Sequence, residues 1–484
     1  LTGLEPGDRV QWRSSATAIS APISSSGSWS SQLQLGETLI DVSSQTPMQP
    51  DAQGLFDFVL PDTDGNTTDH SIDGTVQWTS TYRALVPTDQ FPRSPPTELK
   101  FTAQPLDVVP GYSAVQLPLP TNEMPISFAW DAAGDGYVGS LKGRVLKLRD
   151  RDGDGLADDY ELISDELPTP YGLWAGEQGI DALAKFGLVR LTPPRRSGDP
   201  YDATMVADGW GSSQDYHDWA VGLERDTQGN YYMVLPCQQD DRSPAAAYLR
   251  GTALKLIPVQ SSQEPRQYRL EVLSAGLRFP MGIALNKDGA LFATDNQGNY
   301  NPFNELNHLQ AGKRYGFINK LENRDGFSPP FESPAINLPH PWTRSVNGIC
   351  FLQTPLRQGH DKPLFGPFEG HLIGCEMNGR FLVRMSLQKV GDSYQGAAYL
   401  FSRPPTEANA GAPLQIGHDS SGTSHKNFEG PIVCEVSPSG ELYVGNLLDS
   451  GWGGGQNTGS IVRLAPDGEL PLGIAEVRAT AEGF

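Results

Sequence analysis

The chain has 484 residues and a formal net charge of −21 at pH 7, which argues against nucleic acid or an anionic membrane surface as a partner, since both demand a basic face. No apolar run approaches the ~20 residues that a membrane-spanning helix needs. With 53 Gly, 40 Pro, a 38% hydrophobic share and 9% aromatics, the composition is that of a folded, turn-rich all-β protein rather than a disordered one.

In chain order, residues 1–105 come first, with Ser and Thr dense from Ser14 to Ser31 and strand-like runs such as Thr75–Ser80 set among long polar stretches. They are expected to form a small β-sandwich-like domain. It carries a short acidic turn, Asp62-Thr63-Asp64-Gly65-Asn66, and ends in the connector Phe91-Pro92-Arg93-Ser94-Pro95-Pro96. From about residue 106 to 466 a unit recurs six times: an apolar run, a polar Gly/Asp turn, and an apolar-aromatic run. The first copy joins Phe128-Ala129-Trp130 to Gly136-Tyr137-Val138, and the second joins Tyr171-Gly172-Leu173-Trp174 to Ile180-Asp181-Ala182-Leu183. Val221-Gly222-Leu223, Gly282-Ile283-Ala284-Leu285, Gly348-Ile349-Cys350-Phe351 and Pro431-Ile432-Val433 open the other four. A third strand-like run follows in four copies, at Arg144–Leu148, Ala253–Ile257, Phe381–Met385 and Ser460–Leu464. Short strands repeating at blade length predict a six-bladed β-propeller, because no blade can bury both of its faces alone. Such a ring leaves an axial funnel where loop residues converge.

Within the first repeat, residues 150–161 place Asp150, Asp152, Asp154, Asp158 and Glu161 at positions 1, 3, 5, 9 and 12 of a twelve-residue loop, with Gly155 at position 6. Alternating carboxylates around a sharp turn can wrap one hard cation. The expected ion is a structural Ca²⁺, with the Leu156 carbonyl as a further ligand. Four cysteines, Cys237, Cys350, Cys375 and Cys434, are too few for a disulfide scaffold. Cys350 and Cys375 could pair in an oxidising compartment, and buried free thiols are the other reading. No Cys-x-x-Cys-His, Gly-x-Ser-x-Gly or helical His-x-x-x-His occurs, so haem attachment, a nucleophile elbow and that zinc motif find no support. His308 and His340 could line the funnel, and Gly451-Trp452-Gly453-Gly454-Gly455 reads as a loop over the ring face rather than a phosphate cradle.

Several stretches carry a resemblance. Gly139-Ser140-Leu141-Lys142-Gly143-Arg144-Val145, Leu277-Arg278-Phe279-Pro280-Met281-Gly282, Thr294-Asp295-Asn296-Gln297-Gly298-Asn299 and Gly312-Lys313-Arg314-Tyr315-Gly316-Phe317, with Asp215-Tyr216-His217-Asp218-Trp219, span about residues 125–464. Together they resemble the glucose/sorbosone dehydrogenase family of quinoprotein propellers, most of all its large planctomycete-type putative membrane-bound members. The resemblance implies His217 as general base, Arg278 over the quinone carbonyl, and Gln297, Gly298 and Asn299 beside pyrroloquinoline quinone and its calcium. The family's cofactor-binding lysine falls at Asn378, its arginine pair is missing near Lys426-Asn427-Phe428-Glu429, and Arg314, Arg344, Arg380 or Lys426 would have to compensate.

Two functions follow from this. One is a secreted or periplasmic sugar or alcohol dehydrogenase, passing electrons to a haem-containing acceptor in a following domain or partner chain. The other is a propeller that has lost its cofactor and binds carbohydrate or protein. The chain starts at Leu1, and residues 467–484 read as a tail or the start of a further β domain, so it is expected to act outside the cytoplasm as part of something larger.

Overall fold

The computed structural model describes residues 101–484 apart from 107, 197–198, 214, 216, 238–242, 260–265, 300, 321, 323–324, 340–341, 357–359, 403–427, 449–456, 468–475, 479 and 481–484, together with the course of six N-terminal strands. Leu1–Leu99 and Lys100–Phe484 are two compact units. In the first, strands β1 (Arg9–Arg13), β2 (Thr17–Ala18), β3 (Trp29–Leu35), β4 (Thr38–Ser44), β5 (Leu55–Val59) and β6 (Thr79–Ala84) make a β1-β5 pair and a four-stranded sheet ordered β2-β3-β4-β6. The Asp62–Asn66 turn lies outside the described residues.

The second unit is a six-bladed propeller. It begins with β7 (Gln104–Leu106) and β8 (Tyr112–Gln116). Blade 1 is β9 (Pro125–Trp130), β10 (Gly136–Ser140), β11 (Arg144–Arg149) and β12 (Asp159–Ser164). Blade 2 is β13 (Leu173–Gly176), β14 (Gly179–Ala184), β15 (Gly187–Thr192) and β16 (Asp202–Ala207). Blade 3 is β17 (Val221–Arg225), β18 (Tyr231–Leu235), β19 (Thr252–Pro258) and β20 (Tyr268–Ala275). Blade 4 is β21 (Gly282–Leu285), β22 (Leu291–Asp295), β23 (Asn304–Leu309) and β24 (Ile336–Leu338). Blade 5 is β25 (Val346–Phe351), β26 (Leu372–Glu376), β27 (Phe381–Val390) and β28 (Ser393–Leu400). Blade 6 is β29 (Pro431–Val436), β30 (Leu442–Leu447) and β31 (Gly459–Pro466), completed by β8 and β7 in the order β29-β30-β31-β8-β7. The N-terminal end of the ring thus supplies the outer strands of the last blade.

Each blade is an antiparallel sheet whose faces are both covered by its neighbours, so the middle strands are largely buried and apolar. Every residue of β10, β22 and β26 is buried. Between blades 5 and 6, Ile373, Cys375 and Leu382 pack with Cys434, Val444 and Val462, and between blades 2 and 3, Leu183 and Leu188 pack with Tyr231 and Met233. The innermost strands crowd the axis: a Cβ on Gly172 would lie 2.8 Å from the Gly222 carbonyl carbon, and one on Gly348 would lie 2.7 Å from Val433 Cα. Only glycine permits that approach. All four cysteines are buried free thiols. Among the described residues no helix is long and apolar enough to cross a membrane.

Antiparallel order fixes which loops share a rim. Turns between first and second strands, and between third and fourth, emerge on one side of the ring. Loops between second and third strands, and those linking blades, emerge on the other, which is called the funnel rim below.

Candidate functional site

His217 lies on the funnel-rim loop leading into blade 3. Asp215 shapes that loop by accepting the His217 backbone N–H at 2.8 Å, and Asp215 Oδ1 also meets His217 Nδ1 at 3.0 Å. A carboxylate beside Nδ1 holds the proton there and leaves Nε2 as the acceptor nitrogen. The imidazole meets Phe279 edge-on at 5.6 Å, and Trp219 packs against Phe279 and Tyr171 at 6.1 and 5.2 Å. The loop is held from beneath by Arg250, which is buried. Its Nε donates to the Gly211 carbonyl at 2.8 Å and its Nη2 to the Asp218 carbonyl at 3.0 Å, and it also reaches the Trp219 carbonyl.

Arg278 precedes Phe279 on the loop leading into blade 4. Its position depends on Asp295, the last residue of β22, whose carboxylate accepts the N–H groups of Arg278, Phe279 and Asn296 at 2.8, 2.6 and 2.8 Å. Asp295 lies opposite Glu305 on β23. Burial and that neighbouring charge push the Asp295 carboxyl up to about 7. Blade 5 repeats the device. Glu376 ends β26, accepts N–H groups from Ser345 at 3.1 Å and Gly379 at 3.2 Å, and is pushed up to about 7 by burial. Its partners fix the two loops that carry Arg344 and Asn378-Gly379-Arg380. Arg380 takes φ +58°, an uncommon conformation for a side-chain-bearing residue. Among the described residues Arg278, Arg344 and Arg380 have no ion-pair partner.

Gln297, Gly298 and Asn299 follow Asp295 on the same rim. The Gly312–Phe317 segment leaves β23 at the far side and climbs back alongside β20, where Tyr315 N–H meets the Ala275 carbonyl at 2.9 Å and Phe317 N–H meets the Gly276 carbonyl at 3.0 Å. It reaches the rim where Asn299 Oδ1 accepts the Ile318 N–H at 2.8 Å and a Cβ on Gly298 would lie 2.9 Å from the Gly316 carbonyl oxygen. Arg314 holds this wall together. Its guanidinium grips Glu322 at 2.9 and 2.6 Å, donates to the Phe317 carbonyl at 2.9 Å and covers Phe327, which occupies it structurally. His308 stacks on Phe292 at 5.2 Å and meets Tyr394 at 4.8 Å, so it belongs to blade packing rather than to the funnel. His340, Lys426 and Gly451–Gly455 lie outside the described residues.

On the axis itself, a cavity of about 70 Å³ is lined by the innermost strands of all six blades. Its polar lining includes Glu224 and Glu435 from opposite blades and, among the described residues, no Lys, Arg or His. Burial pushes Glu224 up to about 7, and burial together with the Glu224 charge pushes Glu435 well above the usual carboxylate range.

The acidic loop of residues 150–161 joins β11 to β12 on the opposite rim. Asp150, Asp152 and Asp154 come together, with their nearest carboxylate oxygens all within 4.8 Å of one another. Asp150 also accepts the N–H groups of Gly153 and Gly155 at 2.7 and 2.8 Å, and Asp158 accepts that of Arg151 at 3.0 Å. Glu161 instead lies within β12 and pairs with Arg149 at 2.6 Å. Leu156 turns its side chain into the blade 1 core.

Asp215, Arg250, Asp295 and Glu376 shape this site, yet sequence reasoning assigned none of them a role. The signal for Asp215 was its place two residues before His217. Asp295 and Glu376 were legible only as acids closing an apolar run.

No family model matches the chain, and no curated protein matches it. Among solved structures it is similar to a putative oxidoreductase (glucose dehydrogenase) of Thermus thermophilus, at 19% identity and a TM-score of 0.49 over 75% of this chain and 100% of that one. A PQQ-bound aldose sugar dehydrogenase of Streptomyces coelicolor aligns at 17% identity and 0.47, covering 74% and 99%. The holo PQQ domain of a Coprinopsis cinerea pyranose dehydrogenase aligns at 13% identity and 0.49, covering 75% and 97%. A gluconolactonase of Xanthomonas campestris aligns at 13% identity and 0.38. The likeness is one of propeller architecture, which the strand order above already establishes.

Proposed function

We propose that the funnel rim of blades 3 to 5 oxidises a hydroxyl of a carbohydrate or related alcohol, with pyrroloquinoline quinone as the electron acceptor. The carrying observation is the set Arg278, Arg344 and Arg380. Among the described residues these three cations have no acidic partner, and they stand on neighbouring loops of one rim in a chain of net charge −21. A tricarboxylate needs such cations, because buried carboxylates without them cost several kcal/mol each. Asp295 and Glu376 do not oppose it: both carboxyls face backbone N–H groups, and both are pushed up to about 7. These residues fit the group, with Gln297, Gly298 and Asn299 as neighbours. When bound, the quinone supplies a two-electron, hydride-accepting carbonyl.

The chain's own residues do the rest. Asp215 keeps the Nδ1 proton of His217 in place, so Nε2 takes the proton of the substrate hydroxyl. Arg278 holds the negative charge that develops nearby. Tyr171, Trp219 and Phe279 form an apolar wall against which His217 is held, and they keep water from its flank. Ca²⁺ on Asp150, Asp152 and Asp154, with the Leu156 carbonyl and Asp158, is the structural ion of this reading. The compartment is extracytoplasmic, where millimolar calcium fills such loops, and electrons leave to a haem-containing acceptor in a following domain or partner.

The test is quinone titration of the whole chain with Ca²⁺, followed by absorbance, then dye reduction over a panel of sugars. Quinone should bind, and His217→Ala should lower kcat on the order of 10²–10⁴-fold while quinone binding persists. Arg278→Ala should weaken both. If no quinone binds and no sugar reduces dye, the propeller is a binding module and the oxidation reading falls.

A further inference from the structure

The exposed large apolar side chains of the propeller are sorted by rim. Among the described residues those on the funnel rim are aromatic, apart from Leu400 at the rim-side end of β28. Phe186 lies between β14 and β15, Tyr248 between β18 and β19, and Phe303 between β22 and β23; they are 44%, 58% and 38% exposed. Phe331, 48% exposed, stands beside Gly316 where the climbing segment reaches the same rim. Away from this rim the exposed large apolar residues are aliphatic apart from Phe101, as with Leu162 and Val272 on outer strands and Leu356 in a far-side loop. Solubility alone would not gather four exposed rings on one rim.

The backbone supports the display of Tyr248. Gly211 N–H bonds the Tyr248 carbonyl at 2.8 Å, and Leu249 takes φ +62° and packs into the blade 2–3 core, so the turn reverses with Tyr248 outside. The three loops belong to consecutive blades 2, 3 and 4, the same arc that carries His217 and Arg278. From there Trp219, Phe279 and Tyr171 continue the aromatic surface inward to the imidazole.

We propose that this arc is a platform for an extended, neutral polysaccharide chain, which stacks the C–H faces of successive sugars on Phe186, Tyr248 and Phe303 and delivers a sugar to His217. Pyranose rings offer flat apolar faces edged by hydroxyls, which suits exposed aromatic rings better than aliphatic side chains. The net charge of −21 selects a neutral glycan over a polyanionic one or an anionic lipid surface. The proposal rests on the carbohydrate reading above and deepens it from a free sugar to a polymer.

The experiment measures binding of the whole chain, without quinone, to neutral gluco-oligosaccharides of one to six units by calorimetry, with retention in gels containing the parent polysaccharide as a second readout. Affinity should rise with length over several units. Phe186→Ala, Tyr248→Ala and Phe303→Ala should each weaken hexasaccharide binding about 2–10-fold, while Leu162→Ala and Val272→Ala leave it unchanged. Thermal melts of each variant separate misfolding from lost contact. Affinity independent of length, no binding at all, or aromatic variants that bind like the parent would overturn the proposal. A concentration-dependent dimer abolished in the triple variant would reassign the arc to self-association and overturn it too. Length-dependent binding with no sugar oxidation would retire the dehydrogenase reading and leave the platform standing.

Discussion

A carboxylate at the end of the second strand is the device that places the loops carrying Arg278, Arg344 and Arg380. Asp295 and Glu376 stand at equivalent positions, and Ser140 takes that place in blade 1, where its Oγ accepts the Met124 N–H at 3.2 Å. Asn446 stands near the same point of β30, fully buried, with neither amide atom bonded among the described residues. Removing the acceptor in blade 4 would orphan three half-buried N–H groups at once. Asp295→Ala is therefore expected to cost on the order of 2–4 kcal/mol in urea unfolding and to abolish activity, whereas Asp295→Asn keeps one acceptor and should retain part of both. These acids also set a pH dependence. Asp295, Glu376 and Glu224 are each raised to about 7 in the folded chain, from 3.8, 4.5 and 4.5. A carboxyl raised on folding stabilises fully below its unfolded value and loses that contribution as pH climbs through the folded one. Melting temperature should therefore fall between about pH 4 and pH 7, and Glu224→Gln, which fixes the uncharged form, should flatten the fall. A melting temperature that climbed across this window would mean the axial acids are ionised and paired.

At the scale of the element, the turns between first and second strands explain why the repeat could be read. Asp131, Asp226 and Asn286 each accept two N–H groups across their turns, as where Asp226 Oδ1 meets Gln228 and Asn230 N–H at 2.9 Å each. A glycine at positive φ follows three residues on, at Gly134, Gly229 and Gly289. That chemistry is local, so the sequence displays it, and first and second strands were found in all six blades. The third strand Asn304–Leu309 is hidden because its buried Asn304, Glu305 and Asn307 break the apolar run, Gly187–Thr192 is hidden despite being largely apolar, and fourth strands fall at the exposed outer edge with no apolar run to betray them. The site was legible to the same degree. His217 and Arg278 fall inside the motif stretches and Asp215 stands two residues from His217, but Asp295 and Glu376 act from strand ends on loops distant in sequence and left no local pattern. Innermost-strand glycines carry a clear prediction. Gly222 has φ +75°, and a Cβ there would lie 1.9 Å from Ile283 Cγ2 of the next blade. Gly222→Ala should destabilise by about 2–4 kcal/mol, and a melting temperature equal to that of the parent would show that the ring relaxes freely. For the acidic loop, chelation should lower the melting temperature, and Asp152→Ala should remove the response. No response in the parent chain would leave residues 150–161 as an acidic turn only.

For the whole molecule, the decisive feature is how the ring closes. Five blades are continuous in sequence, but blade 6 borrows its outer strands from residues 104–116, so Leu464 on β31 pairs with Ala114 on β8. This joins the two ends of a ring that otherwise holds only by blade-on-blade packing, and it covers an edge that would template aggregation. The borrowed segment also buries Leu106, Ala114, Leu117 and Leu119. At roughly 1.5–3 kcal/mol for each large side chain removed from water, these alone contribute on the order of 5 kcal/mol. The sequence hid this closure because the segment precedes the first repeat and has no repeat pattern of its own. Two truncations isolate it. Against a chain starting at residue 100, one starting at 119 keeps every residue of blades 1 to 5 but loses β7, β8 and the closing pairs. Its melting temperature should fall by about 10 °C or more, since each kcal/mol is worth roughly 2–4 °C in a domain of 150–250 residues and somewhat less in a larger one. It should also aggregate at concentrations where the longer chain stays monomeric, as the free β31 edge seeks a strand. Equal melting temperatures and equal solubility would mean that blade packing alone holds the ring shut, and the closure argument would fail.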